Sequence, residues 1–283
     1  MLRMSGWILS HERELRLGFF LAIFAVMALW ELAAARRRWL QSRGRRWLAN
    51  LGILAVDTVL VRLLFPAAAV GMALLAERQA WGLFNAVDLP PGLEVVLAVV
   101  VLDLVIYLQH VMFHAVPALW RLHMVHHADR DFDVTTGVRF HPVEIVLSMV
   151  LKLAAVSALG APALAVLLFE VVLNATSMFN HGNVRLAAPV DRWLRWLVVT
   201  PDMHRVHHSV VVGETNSNFG FNLPWWDRLL GTYRDQPAAG HEGMTIGISE
   251  LQDPKPKSLL GLLVLPFTAR AGSQPISSRH DGG

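Results

Sequence analysis

The sequence of 283 residues contains no cysteine. That absence excludes disulfides, thiolate metal sites and iron–sulfur clusters, so any bound metal has to be held by nitrogen or oxygen. Charge is also scarce. Charged residues make up 17% of the chain against 54% hydrophobic, and the mean hydropathy of +0.43 is too high for an ordinary water-soluble domain of this length. No His-Glu-x-x-His stretch occurs, because His11-Glu12 and His241-Glu242 each lack the second histidine, and this removes the zinc-peptidase class. Equally missing are a His-Pro-Gly-Gly haem element, a flavin fingerprint, a convincing Glu-x-x-His pair of the carboxylate-rich di-iron bundles and any internal repeat.

What is present is apolar length. The runs Leu17 to Ala35, Leu51 to Ala76 and Leu93 to Ala115 each approach the ~20 residues that cross ~30 Å of hydrocarbon as a helix. The first is longer than a secretory signal core and carries its basic residues on the far side, so it reads as retained. From Val143 to Phe179 the apolar run is interrupted by Gly160-Ala161-Pro162, which suits a tight helical hairpin, with one long kinked helix as the alternative.

The formal net charge is only +3, yet Arg36, Arg37, Arg38, Arg43, Arg45 and Arg46 crowd into one loop after the first run. Such a cluster marks a cytoplasmic loop before it marks nucleic-acid binding, and no nucleic-acid partner is expected. The loop Glu77 to Gly92, with Arg78 as its only strong base, then lies outside, and every histidine from His110 onward gathers on the cytoplasmic side.

The expected fold is therefore all-α and polytopic, embedded in the bilayer. It has about three spanning helices plus a helical hairpin, with a cytoplasmic histidine-rich helical cap. Residues 1–92 are read as N-terminal membrane helices, 93–236 as the core with the histidine boxes, and 237–283 as a C-terminal tail that is partly disordered. Within that tail Leu259 to Phe267 is too short to span and is expected to rest on the membrane surface.

Thirteen histidines supply the ligand pool. His110 and His114 stand at i, i+4 at the end of the third run, on one helical face. His123-Met-Val-His126-His127 and His204-Arg-Val-His207-His208 are two H-x-x-H-H boxes, and His181 follows the returning arm of the hairpin. Neighbours such as His126 and His127 diverge by ~100° around a helix axis, so one turn can serve two adjacent metals. A single histidine is as often an interfacial or surface residue as a ligand, whereas clustered ionisable groups at membrane depth are usually functional.

This order of boxes, followed by Glu214-Thr-Asn-Ser-Asn-Phe-Gly and Trp226-Asp-Arg-Leu-Leu-Gly-Thr-Tyr233, resembles the fatty acid hydroxylase and sterol desaturase superfamily over roughly Leu93 to Arg234. The resemblance implies a centre of two iron ions that uses O2 as co-substrate to hydroxylate or desaturate a lipid, whether fatty acyl, sphingolipid or sterol-like. Carried over position by position, it implies the ligands His110, His114, His123, His126, His127, His181, His204, His207 and His208. Some relatives have one more histidine where this chain has Ser177, and His141 is the candidate substitute.

Beyond the ligands, Asp103, Tyr107, His141 and Asp202 are candidates for fixing imidazole orientation. Asn218, Phe219, Trp225 and Trp226 are candidates for positioning substrate, although an interfacial aromatic belt accounts for the tryptophans equally well. Counting helical rise places Arg62 beside Asp103 and Lys152 beside Glu170, so two intramembrane ion pairs are expected. Electrons have to come from a separate donor protein or reductase. Zinc is expected to substitute for iron in purified protein, because it outcompetes ferrous iron for nitrogen ligands. A histidine-lined metal-ion transporter or binding protein is the alternative function, and it would spread ligands through the membrane. A bis-histidine haem protein would use only two of them.

Overall fold

The computed structural model describes residues 2–270, 272 and 275–276, so the remainder of the C-terminal tail, including most of the stretch expected to be disordered, lies outside the described residues. A short helix α1 (Leu2–Ser10) leads into α2 (Glu12–Ala33), followed by α3 (Arg43–Leu64), α4 (Ala68–Arg78), α5 (Pro91–Ala115) and α6 (Pro117–His127). The hairpin is α7 (Pro142–Leu159) and α8 (Ala163–Asn180), after which α9 (Ala188–Leu194) and α10 (Pro201–His207) precede short single turns and a C-terminal helix, Leu259–Thr268. Among the described residues, five helical stretches are long and apolar enough to cross a membrane: α2, α3 with α4, α5, α7 and α8. The fold is a helical polytopic membrane protein.

The second apolar run is not one helix. It begins earlier than expected, at Arg43, and breaks at Phe65–Ala67, where Pro66 has no N–H to donate and its ring would press on the Arg62 carbonyl. The hairpin forms as two arms. Gly160 closes α7 in the left-handed region at φ 64°, and Pro162, with its fixed φ, opens α8. α8 packs against α2, α4 and α5, while α7 packs against α3, α4 and α5.

Exposed and buried residues are inverted relative to a water-soluble protein. Leu29, Leu32, Leu63, Val96 and Val150 lie bare on the outer faces of the long helices, as a lipid-facing belt requires, while Asp129, Asp133, Arg205 and the histidines are buried in the cap. Lys152 Nζ meets Glu170 Oε1 at 2.9 Å, as depth counting anticipated, and Arg16 Nη1 adds a second cation 3.0 Å from Oε2. The pairing expected of Arg62 does not form. Asp103 accepts instead from the Trp226 indole at 2.8 Å and from the Leu223 amide at 3.3 Å, so its charge ties the post-box segment to α5.

The arginine-rich loop serves a structural purpose that composition does not announce. Arg46 lies 1% exposed between Asp129 at 2.8 Å and Asp133 at 2.7 Å. Arg36 reaches Asp202 and Glu242, Arg37 donates to the carbonyls of His241 and Met244, and Arg43 stacks on Trp39 and Trp47. The loop thus straps the cap to the first two long helices. The C-terminal helix packs against α3 and α6 through Leu262 and Leu265, leaving Leu260 and Phe267 exposed.

At the end of the bundle away from the cap, Gly82 (φ 90°) packs on the hairpin tip, where an added Cβ would sit 2.0 Å from the Gly160 amide nitrogen. Gly82→Ala is expected to destabilise by about 1–3 kcal/mol, from strain at positive φ and from the collision. Gly92→Ala, with nothing within 4 Å of its Cβ, is the neutral control. Thermal unfolding of the detergent-solubilised variants checks both.

Candidate metal centre

Four helix ends converge in the cap. α5 presents His110 and His114 from its last two turns, and α6, opened by Pro117, presents His123, His126 and His127. His181 caps the C-terminus of α8. α10, opened by Pro201 and capped by the Thr200 hydroxyl, presents His204 and His207, with His208 at its end. These nine imidazoles assemble into two groups, His110, His114, His123, His127 and His207 in one, and His126, His181, His204 and His208 in the other, with one nitrogen of each lying within 4.8 Å of those of its group. All are buried. The divergence of neighbours is seen at both boxes, where His126 and His127, and likewise His207 and His208, enter different groups.

The hydrogen bonds decide which nitrogen points inward. His110 Nδ1 donates to the Phe219 carbonyl at 2.7 Å, His181 Nδ1 to the Ser177 carbonyl at 2.8 Å and His207 Nδ1 to the Ser217 carbonyl at 2.7 Å. A carbonyl only accepts, so each of these rings carries its proton on Nδ1 and turns an Nε2 lone pair to the interior. His123 Nδ1 is held by Glu144 Oε1 at 2.7 Å, and His114 Nδ1 by Asn216 Oδ1 at 3.1 Å.

The inward nitrogens then face one another. Nε2 of His110 and His123 stand 3.1 Å apart, those of His114 and His127 3.2 Å, and His181 Nε2 is 3.1 Å from both His126 and His204. Opposed lone pairs at this distance repel unless a cation lies between them. Two nitrogens bound at right angles to one ion at about 2.1 Å stand about 3 Å apart, so the spacing suits shared coordination.

Electrostatics agree. Burial lowers the His123 and His181 pKa values to about 3, although the Ser177 carbonyl opposes the shift at His181. Burial, reinforced by neighbouring imidazoles, also holds His126, His127, His204, His207 and His208 well below the ordinary range. The rings are neutral at pH 7, the form in which imidazole binds metal. Phe219 packs over His110, His114 and His207, and Phe140 stacks flat on His126 at 4.6 Å, giving the groups a dry aromatic wall.

The acidic stretch after the first box holds α6 in place. Burial alone would raise the Asp129 pKa, but Arg46 and Arg139 together keep it well below the usual carboxylate range. Arg139 Nε also donates to the Val125 carbonyl, within the box itself, at 2.8 Å.

Other residues singled out in the sequence sit as follows. His141 does not join either group. It caps α7, accepting from the Val143 amide, while its Nε2 contacts the Leu263 carbonyl at 3.1 Å, so it supplies no replacement ligand. Ser177 contributes its backbone carbonyl to His181, and its hydroxyl bonds the Gly137 carbonyl. Asp202 pairs with Arg205 and Arg36 and stands 3.7 Å from His241 Nε2, rather than with any of the nine clustered imidazoles, so its negative charge is already engaged.

Asn218 does not offer its amide to a substrate. Its Nδ2 donates to the carbonyls of Met203 and Arg234 and its Oδ1 accepts from the Arg234 amide, which clamps the loop to α10. Trp226 is tied to Asp103, and Trp225, 40% exposed, donates to the Trp196 carbonyl. Tyr107 acts at a distance. Its hydroxyl bonds Thr232, which donates to Asp227, and Asp227 accepts the amides of Phe219 and Gly220 beside the carbonyl that orients His110.

Sequence reasoning missed Glu144, and it singled out Asn216 and Asp227 for covering the site or positioning substrate rather than for holding His114 and the Phe219–Gly220 backbone. A lone carboxylate opening an otherwise apolar hairpin, three residues after His141, is the signal that points to Glu144. The orienting carbonyls of Phe219, Ser177 and Ser217 have no signature in side-chain identity.

Together these features define a helical membrane protein with a buried, all-imidazole, two-group site suited to metal. The family model described as fatty acid hydroxylase matches residues 95–232, which carry all nine histidines. The ornithine lipid hydroxylase OlsE of Rhizobium tropici is 32% identical over 192 residues, covering 67% of this chain and 55% of that protein. Alkylglycerol monooxygenases of Xenopus tropicalis and Homo sapiens are 26% and 25% identical over 151 and 154 residues, covering 52% and 53% of this chain and 32% of each relative. Through this segment the chain belongs to the fatty acid hydroxylase superfamily. It spans about half the length of the first of these relatives and about a third of the others. No solved structure matches.

Two outcomes are expected. Glu144→Ala, which removes the partner of His123 Nδ1, lowers metal affinity about 10- to 100-fold, measured as metal content after a chelator challenge. In the metal-free protein, folded-state values of about 3 for His123 and His181 lie below the ~6.5 of an unfolded histidine. The unfolded chain therefore binds more protons, and the melting temperature is flat above about pH 7 and falls as pH drops from ~6.5 toward 3.

Proposed function

We propose that this protein is an iron-dependent membrane oxygenase that uses dioxygen and externally supplied electrons to oxidise a C–H bond of a lipid. The observation that carries the reading is the pairing of two neutral imidazole groups at one dry end of a lipid-facing helical bundle. The residues that would hold two iron ions are His110, His114, His123, His127 and His207 for one, and His126, His181, His204 and His208 for the other.

Bound there, the iron pair supplies the one chemistry side chains lack, reduction of dioxygen to an oxidant able to attack an unactivated C–H bond. The protein's own residues do the rest. Glu144 and the carbonyls of Phe219, Ser177 and Ser217 hold protons on Nδ1 and keep Nε2 free to bind. Phe219 and Phe140 exclude water, which would otherwise quench a reactive oxidant.

The relatives are named a hydroxylase and monooxygenases, words that denote oxygen insertion, and this favours hydroxylation over desaturation. The names also favour a glycerol- or amino-acid-based lipid among the acyl, sphingolipid and sterol-like classes. The arginine-rich loop favours a cytoplasmic site and C-terminal side in this reading, with electrons supplied by a separate donor protein. A metal-ion transporter is disfavoured because the histidine groups sit together at one end, with no ligand series through the helices among the described residues.

The test is lipid analysis of a host expressing the iron-replete protein under 18O2. A lipid gaining one labelled oxygen is expected with the wild type and not with His204→Ala. Loss of two hydrogens without label would move the assignment to desaturation, and no lipid change under reducing, iron-replete conditions would overturn it.

A further inference from the structure

A cavity of about 620 Å³ opens in the cap, lined by α9, by Asp202 of α10 and by Arg36 of the arginine-rich loop, and by none of the nine clustered histidines. Its size is that of a small-ligand site. Five arginines line it, Arg36, Arg185, Arg192, Arg195 and Arg228, against Asp191, Asp202 and Asp235, a balance of five minus three, or +2. Glu242, outside the lining, pairs with Arg36 and Arg185 at the rim.

The positive charge is not all answered from within. Arg192 makes no ion pair among the described residues. Arg228 lies over the rings of Trp196 and Tyr233, each at 4.0 Å, and donates only to the Arg195 carbonyl. Arg195 has a side chain only 4% exposed, engaged by Asp191 and Asp235, yet its Nη2 has no hydrogen-bond partner. The buried His241 makes no hydrogen bond at either ring nitrogen, its Nε2 standing 3.7 Å from Asp202 Oδ2. Buried donors left open on the wall of a cationic cavity are an unmet demand for an acceptor.

The surroundings say which acceptor. Trp193, Trp196 and Leu197 are 76%, 55% and 66% exposed beside the cavity, and Trp225, whose indole bonds the Trp196 carbonyl, extends the patch with Leu229 and Leu230. Exposed tryptophan next to leucine at the foot of a membrane bundle marks the headgroup level, and arginines at that level attract anionic lipid.

We infer that this cavity binds the phosphate or carboxylate group of an anionic lipid, a site separate from the histidine groups, with the acyl chains resting on the tryptophan and leucine patch beside it. Its lining includes Asp202, on the same α10 that carries His204 and His207 into the histidine groups. The inference stands whichever reaction the histidine site performs.

The full-length protein, solubilised in detergent, is incubated with phosphatidylglycerol or phosphatidylcholine, and retained lipid is read by native mass spectrometry. Preferential retention of phosphatidylglycerol is expected. The double substitution Arg185→Glu with Arg192→Glu, both exposed at the rim, should reduce it about tenfold or more, with helicity and metal content unchanged. A parallel thermal-shift series with inorganic phosphate separates the sources. Stabilisation by phosphate alone, lost in the double variant, assigns the site to a free oxyanion, and response to lipid only assigns it to a headgroup. Equal retention of both lipids by the wild type with no response to phosphate overturns the inference. So does a charge reversal that leaves lipid retention and any phosphate response intact while weakening binding of an acidic electron-carrier protein, an outcome that gives the cavity to a protein partner.

Discussion

Nine buried imidazoles are brought together in two groups, and at His110, His123, His181 and His207 outward hydrogen bonds turn Nε2 toward the interior, an arrangement whose facing neutral nitrogens suit a shared cation. Each ring is deprived of water by burial, so it cannot relieve the repulsion by becoming charged, and backbone carbonyls and Glu144 prevent His110, His123, His181 and His207 from turning the other nitrogen inward. The rest of the cap follows from this constraint. The aromatic wall keeps the groups dry, and the loop from Ser217 to Tyr233 exists in its observed form because Asn218 and Asp227 hold the two carbonyls that orient His207 and His110.

Holding those rings against their mutual repulsion requires a rigid frame, and the frame is ionic. Arg46 comes from α3, far from the boxes in sequence, yet it lies between Asp129 and Asp133 immediately after the first box. A buried pair of this kind is weak evidence of net stabilisation, but removing one partner would strand a charge at a cost of about 3–5 kcal/mol. Such a contact therefore fixes where the cap sits on the bundle more than it adds to overall stability. The same is true at mid-depth, where Arg16, Lys152 and Glu170 join α2 to both arms of the hairpin.

Much of this was legible in the residues. Apolar run length and the Gly160-Ala161-Pro162 break announced the helices and the hairpin, because backbone satisfaction in lipid leaves few other structures. Histidine spacing announced which side chains share a face. Depth counting found the Lys152–Glu170 pair, since both arms leave the same turn, but failed for Arg62 and Asp103, where Pro66 interrupts the helix and Trp226 offers a nearer donor. The aims of Asn218, Asp202 and His141 were not readable, because a polar side chain beside a site can serve the backbone as well as a ligand, and only the folded chain shows which. The arginine loop was read for its charge, whereas its guanidinium geometry decides what it grips.

Adjacent residues of one turn enter different histidine groups, His126 and His127 on α6, His207 and His208 on α10. The two groups therefore share their scaffolding down to single peptide units. A displacement of either turn moves members of both groups together, so neither group can be reshaped by substitution or by local unfolding without the other.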